Sequence, residues 1–288
     1  MYISDELIDR FIKEDVPYID LTTLVLGISG QKGTLQFFSR EDAVLCGSEE
    51  VAKIFNKLNI DLIKTCPSGT LIKKNEIFLE GKGNAEDLHT AWKVSQNILD
   101  YSSGIATQTK KLVDKASKIN PNLHIITTRK VIPGTKELAI KAVISGGGFP
   151  HRLGLSETIL IFKQHLSFLG GTSELIKTLE SVKSKVCEKK IIAEVENIDQ
   201  AIKLCKSGID GLQFDKIPYC ELKKYVDILK KINPSIVILA TGGITESNIE
   251  EYAKTGVNAI VTTSVYYAKA IDIGCKITKD TIWLNKNS

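Results

Sequence analysis

From about residue 120 to residue 263, short unbroken apolar runs alternate with stretches long enough for amphipathic helices. The runs occupy residues 124–128, 158–162, 191–195, 211–215, 236–241 and 259–263. A strand with one wet face alternates apolar and polar positions, whereas a strand covered on both faces need not. These six runs therefore predict parallel strands wrapped in helices, and residues 142–144 could hide another. The first third of the chain follows a different grammar. Ser4 is placed to cap a helix carrying Leu7, Ile8, Phe11 and Ile12 at helical spacing. Strand-like pieces at 34–38 and 60–65 flank a helix capped by Ser48 and carrying Val51, Ala52, Ile54 and Phe55. The turn Pro67-Ser68-Gly69 leads to two more strand-like pieces, 70–72 and 76–80. Asn84 opens a long helical region, with Glu86 and Asp87 favourable in its first turn. Ser102-Ser103-Gly104 should break or kink that region before it resumes towards Leu112 and Val113.

Pattern alone does not separate a barrel from an open doubly wound sheet. The polar residues favour the barrel, because they fall at strand ends: Thr128-Arg129-Lys130, Glu194, Asp215, Thr241-Gly242-Gly243 and Thr262-Thr263-Ser264. In a barrel the carboxyl ends of the strands converge on one pocket, where these groups would face one another.

Composition narrows the class. A chain of 288 residues holds one barrel of roughly 200 residues plus a smaller domain. A net charge of +4, with lysines spread along the chain, gives no case for nucleic acid. Cys46, Cys66, Cys187, Cys205, Cys220 and Cys275 form no CxxC pair, and Cys205 sits among Ala201, Ile202 and Leu204 as a small core hydrophobe. The acidic start of the chain lacks a signal peptide's apolar region, and no run reaches the ~18 apolar residues of a membrane span. The expectation is a soluble, cytoplasmic enzyme with reduced cysteines.

The strand-end groups carry the candidate chemistry. Glu194 and Asp215 emerge from apolar strands, and such carboxylates suit a hard cation such as Mg²⁺, which binds one or two carboxylates plus substrate phosphates. The bland alternative is a pair of buried salt bridges to Arg129 and Lys130. Arg129, Lys130 and Arg152 offer cations for carboxylate or phosphate oxygens. Thr241-Gly242-Gly243 joins a strand to a helix expected near Glu246, where backbone amides could cradle a phosphate. Gly146-Gly147-Gly148, just before Phe149-Pro150-His151-Arg152, is a second glycine-rich candidate. His151 and His165 lie near this chemistry, while His89 and His124 read as structural or solvent-facing.

These residues also carry a resemblance. Glu14-Asp15, Asp20-Leu21-Thr22-Thr23, Ser103-Gly104-Ile105-Ala106-Thr107, Thr128-Arg129-Lys130, Pro133-Gly134 and Gly146-Gly147-Gly148 with His151-Arg152 follow in order. Ala193-Glu194-Val195-Glu196-Asn197, Phe214-Asp215 and Gly242-Gly243-Ile244-Thr245 complete a series that resembles the quinolinate phosphoribosyltransferases over nearly the whole chain. Pro150-His151-Arg152-Leu153-Gly154-Leu155-Ser156-Glu157 and Tyr266-Tyr267-Ala268-Lys269 look like the ModD branch, a group of pyrophosphorylases associated with molybdenum transport genes. The resemblance implies an α/β fold: an N-terminal α/β open-faced sandwich at 1–109, an incomplete seven-stranded α/β barrel at 110–272, and a tail at 273–288 returning to the first domain.

It implies a reaction as well. A base nitrogen attacks the anomeric carbon of phosphoribosyl pyrophosphate, pyrophosphate leaves with Mg²⁺ help, and a quinolinate adduct loses CO₂. By position, Glu194 and Asp215 would hold metal and ribose, and Lys130 would approach the pyrophosphate. Arg129, His151 and Arg152 would orient the carboxylate of a small aromatic acid. Gly242, Gly243, Thr262 and Thr263 would receive the 5′-phosphate, although the family's Ser-x-Gly is not kept at the last pair. A homodimer with shared active sites would bring Lys93 into the partner's site. Two positions depart from the family: Lys93 stands for an arginine, and Phe162 stands for a lysine, with Lys163 one step away on the opposite strand face. Two rival readings are a non-catalytic barrel binding a phosphorylated ligand or oxyanion in regulating molybdenum uptake, and a Schiff-base lyase using Lys130.

Overall fold

The computed structural model describes residues 1–280 and divides into two compact units. One comprises Met1–Gln108, Ile132–Gly146 and the segment from Tyr267 onward; the other comprises Thr109–Val131 and Gly147–Tyr266.

The first unit opens with α1 (Asp5–Asp15), where the Ser4 hydroxyl accepts from the Leu7 N–H, as expected of a cap. α2 (Leu21–Leu26) is capped in the same way by Asp20. Then come β1 (Lys32–Ser39), β2 (Ala43–Val44), α3 (Ser48–Lys57), β3 (Asp61–Thr65), β4 (Leu71–Ile72), β5 (Ile77–Asn84) and the helix α4 (Ala85–Ile119), whose residues from Thr109 onward belong to the second unit. Burial alternates along β1, so Leu35 and Phe37 enter the core with Phe55, Phe78 and Leu79.

α4 runs unbroken through Ser102-Ser103-Gly104, contrary to the expected break. The small residues serve packing instead. Gly104 lets the chain at Lys269 pass so close that a Cβ would lie 2.6 Å from the Lys269 carbonyl oxygen, and the Ser103 hydroxyl accepts from the Cys46 N–H at 3.0 Å. His89 is structural, its Nδ1 bonded to the Thr23 hydroxyl at 2.7 Å.

The second unit is built on a parallel sheet. Its strands are β6 (His124–Thr127), β7 (Phe149–Pro150), β8 (Ile159–Ile161), β9 (Ile191–Val195), β10 (Gly211–Asp215), β11 (Val237–Thr241) and β12 (Ala259–Thr262). Their order, β7-β6-β12-β11-β10-β9-β8, places the two shortest strands at the edges and leaves the curled sheet an incomplete barrel. Between strands lie α5 (Lys136–Ser145), α6 (Lys163–Leu169), α7 (Thr172–Lys185), α8 (Ile198–Lys206), α9 (Tyr219–Ile232) and α10 (Ile249–Ala253).

The six expected strands are present, but residues 142–144 belong to α5, which groups with the first unit. That helix is buried on nearly every side, so its sequence lacks the helical period and reads as a strand. The seventh strand is β7, two residues paired with β6 and containing a proline tolerated only at an edge. β13 (Ile273–Lys279) pairs antiparallel with β1 in the order β13-β1-β5-β3. Residues 281–288 of the expected tail lie outside the described residues.

Candidate active site

Parallel strands end on the same side, and here all seven, or the turns just after them, deliver side chains to one cavity of about 320 Å³. Thr128, Arg129 and Lys130 follow β6, and His151 and Arg152 follow β7. Leu160 lies on β8 with Phe162 just beyond it. Glu194 comes from β9, Gln213 and Asp215 from β10, Thr241 from β11 and Val261 from β12. Seven expected residues, Arg129, Lys130, His151, Arg152, Phe162, Glu194 and Asp215, are thus brought together in one unit.

The charges face one another without neutralising. None of Arg129, Lys130, Arg152, Glu194 or Asp215 is ion-paired with another described residue, so the salt-bridge alternative is not realised among them. Burial pushes the Glu194 carboxyl above its ordinary range and Asp215 adds to this, while the hydrogen bond from Gln213 opposes both. Arg152 is 8% exposed, and burial and then Arg129 lower its pKa. Burial, then Arg152, pulls His151 below the usual histidine value. Unpaired like charges held together cost stability, which is the mark of a site arranged for a ligand.

Part of the cavity's lining is apolar. Phe162, Leu160 and Val261 pack in one small core, and the Phe162 ring stacks on His165 at 5.9 Å. The His165 Nδ1 accepts from the Phe162 N–H at 3.0 Å, which fixes that ring nitrogen as unprotonated. Lys163 does not stand in for a lysine at 162. It lies outside the cavity and pairs with Glu196 at 3.2 Å.

The phosphate-loop candidates lie off this cavity. Gly242 and Gly243 follow β11 in left-handed conformations, at φ +87° and +71°. A Cβ on Gly242 would stand 2.3 Å from the Asp215 Oδ1, so the glycine makes room for that carboxylate. The helix expected near Glu246 begins only at Ile249 and spans five residues. Thr245, Ser247 and Asn248 bond locally instead, with the Asn248 Oδ1 accepting from the Thr245 N–H and its amide donating to the Gly243 carbonyl. The Thr262 hydroxyl donates to the Ile244 carbonyl at 2.8 Å, and that of Thr263 is bonded to Thr128 at 2.9 Å. Lys93 is on α4 in the other unit, its ammonium 4.4 Å from the Trp92 ring centre. Asn197 acts as the cap of α8, accepting from the Gln200 N–H.

In the sequence Gln213 reads only as one polar residue inside an apolar strand. It is 5% exposed, and its amide donates to the Glu194 Oε2 at 3.0 Å.

Among the described residues no group of three or more His, Cys, Asp or Glu side chains could cage a metal ion. The carboxylates of Glu194 and Asp215 on one cavity fit an ion that takes its remaining oxygens from water and phosphate, as Mg²⁺ does. No helix among the described residues is long and apolar enough to cross a membrane.

Residues 105–276 match the family model described as quinolinate phosphoribosyl transferase, C-terminal domain, and residues 20–103 match the corresponding N-terminal domain. The chain is similar to ModD of Pasteurella multocida, a pyrophosphorylase by designation only, with 34% identity over 279 residues, 97% of this chain and 99% of that one. It is similar to the solved nicotinate-nucleotide pyrophosphorylase of Ehrlichia chaffeensis, with 28% identity, TM-score 0.88, and coverage of 96% of this chain and 100% of that one. For the enzyme of that name from Francisella tularensis the values are 26%, 0.86, 96% and 98%.

Proposed function

The chain belongs to the quinolinate phosphoribosyltransferase family, and from that premise we propose that it transfers the phosphoribosyl group of phosphoribosyl pyrophosphate to a small aromatic acid, releasing pyrophosphate. The observation that carries this reading is the gathering of unpaired cations and carboxylates on one cavity at the carboxyl ends of the strands.

Each residue has a task. Lys130 meets the pyrophosphate oxygens, lowering the cost of the charge that collects there as the glycosidic bond breaks. Glu194 and Asp215 hold the ribose and offset positive charge developing on its ring. Arg129, His151 and Arg152 orient the acceptor's carboxylate so that its ring nitrogen faces the anomeric carbon. The Gly242-Gly243 loop takes the 5′-phosphate on its backbone amides, while the Thr262 hydroxyl, already donating to the Ile244 carbonyl, holds the turn that follows. Glu194 and Asp215 would hold Mg²⁺, which supplies charge neutralisation for the leaving group when bound. Lys130 is exposed, not the desolvated amine a Schiff-base lyase requires.

Calorimetric titration with phosphoribosyl pyrophosphate tests the reading. Binding should tighten when Mg²⁺ is present, and Asp215→Asn should lose that gain while keeping its melting temperature. No binding in either condition would contradict it. For Lys93 we propose a place in the site of a second copy of the chain. Mixing Lys93→Ala with Glu194→Gln subunits should then restore part of the activity, and an active monomer in sedimentation would refute this.

A further inference from the structure

One atom on the candidate cavity is out of keeping with a stable interior. Gln213 lies on β10 directly beside Glu194 on β9, in register, and both line the cavity. The bond between them fixes the orientation of the amide: a carboxylate only accepts, so the NH₂ group must face Glu194. The carbonyl Oε1 is then left buried with no hydrogen-bond partner among the described residues. An apolar side chain of similar size would fill this strand position without an orphaned acceptor. A residue that lowers stability at a ligand cavity is retained for what it does there.

We propose that Gln213 is a positioning residue that pins one oxygen of Glu194 and thereby presents the other to the ligand. The Glu194 carboxylate accepts no other hydrogen bond among the described residues, so without the amide this flexible side chain would sample several rotamers. Pinning removes that freedom before the ligand arrives, and the ligand then loses less entropy on binding. The inference rests on the phosphoribosyl reading only for the identity of the ligand that Glu194 meets.

The test uses Gln213→Met, and Gln213→Leu should methionine fold poorly. Both remove the donor and the orphaned acceptor while keeping an apolar side chain in the strand. Melting curves should show no loss of stability. A crystal structure of the variant should show Glu194 in more than one rotamer, against one in the wild type. Affinity for phosphoribosyl pyrophosphate with Mg²⁺ should fall about 10-fold, the scale of one charge-assisted hydrogen bond. The same substitution in a Glu194→Gln background should cost nothing further, because the group being positioned is gone. A single unchanged Glu194 rotamer in the variant, or an equal affinity loss in both backgrounds, would overturn the proposal. If the wild type binds no phosphoribosyl pyrophosphate at all, the functional reading fails while the rotamer comparison still decides the role of Gln213.

Discussion

Gly242→Ala perturbs the point where two strand-end turns interlock. β10 ends at Asp215 and turns through Lys216, itself left-handed at φ +57°, whose N–H donates to the Thr241 carbonyl at 2.8 Å. β11 ends at that Thr241 and turns through Gly242 at φ +87°. An alanine there meets two costs. The left-handed backbone costs about 1–2 kcal/mol for a residue with a Cβ. The Cβ would also stand 2.3 Å from the Asp215 Oδ1 and 2.8 Å from the Lys216 backbone nitrogen. Overpacking of that kind adds about 1–3 kcal/mol, for a total of about 2–5 kcal/mol. Gly243 has a similar φ, +71°, but open space around its Cβ position, so Gly243→Ala should incur only the first cost. Equilibrium urea unfolding of both variants gives the comparison. Since part of the clash is with a carboxylate, adding Asp215→Ala to Gly242→Ala should recover about 1 kcal/mol, and the backbone clash should remain. Equal losses at the two glycines, or strict additivity with Asp215→Ala, would refute the reasoning.

Phe162→Lys should raise turnover of quinolinate, a dicarboxylate, by about 10- to 150-fold, the value of one charge-assisted hydrogen bond. Steady-state kinetics showing efficient wild-type turnover, unimproved by the lysine, would count against the apolar reading of that part of the lining. Lys141→Met leaves Glu50, 2% exposed, without the ammonium that now lies between it and Glu49; urea unfolding should show a loss of about 3–5 kcal/mol. Burial raises the Asp100 carboxyl to about 6, while the hydrogen bond from the Ile273 N–H opposes the shift. Its folded pKa lies above the unfolded value of about 3.9, so its effect is absent at low pH and stability falls as pH rises from about 4 to about 6. Asp100→Asn should flatten that part of a melting-temperature profile and stabilise the protein at neutral pH.

Most of the second unit was legible because burial on both faces leaves an unbroken apolar run, and six such runs became six strands. Edge strand β7 leaves no pattern in the sequence because two residues carry no period. The error at Ser102-Ser103-Gly104 has another source. Propensity marks those residues as helix breakers, but the approach of Lys269 leaves no room for a Cβ at Gly104, and tertiary packing prevailed. The cavity's charged residues could be named in advance because charge at the end of an apolar strand has few other uses. Gln213 could not, since one neutral amide inside a strand resembles a satisfied core residue until its orphaned oxygen is seen. Nor does sequence show the Thr262 hydroxyl bonded to the Ile244 carbonyl, a contact 18 residues back along the chain.

Pyrophosphate release tests the central claim most directly. Wild-type protein with Mg²⁺ and phosphoribosyl pyrophosphate is screened against a panel of aromatic acids and bases, with Asp215→Asn as control. The account predicts release that depends on at least one aromatic monocarboxylate and on Mg²⁺, and that is lost in the folded Asp215→Asn variant. Tight binding of phosphoribosyl pyrophosphate with no acceptor-dependent release across the panel would contradict it and favour a barrel that binds without catalysing.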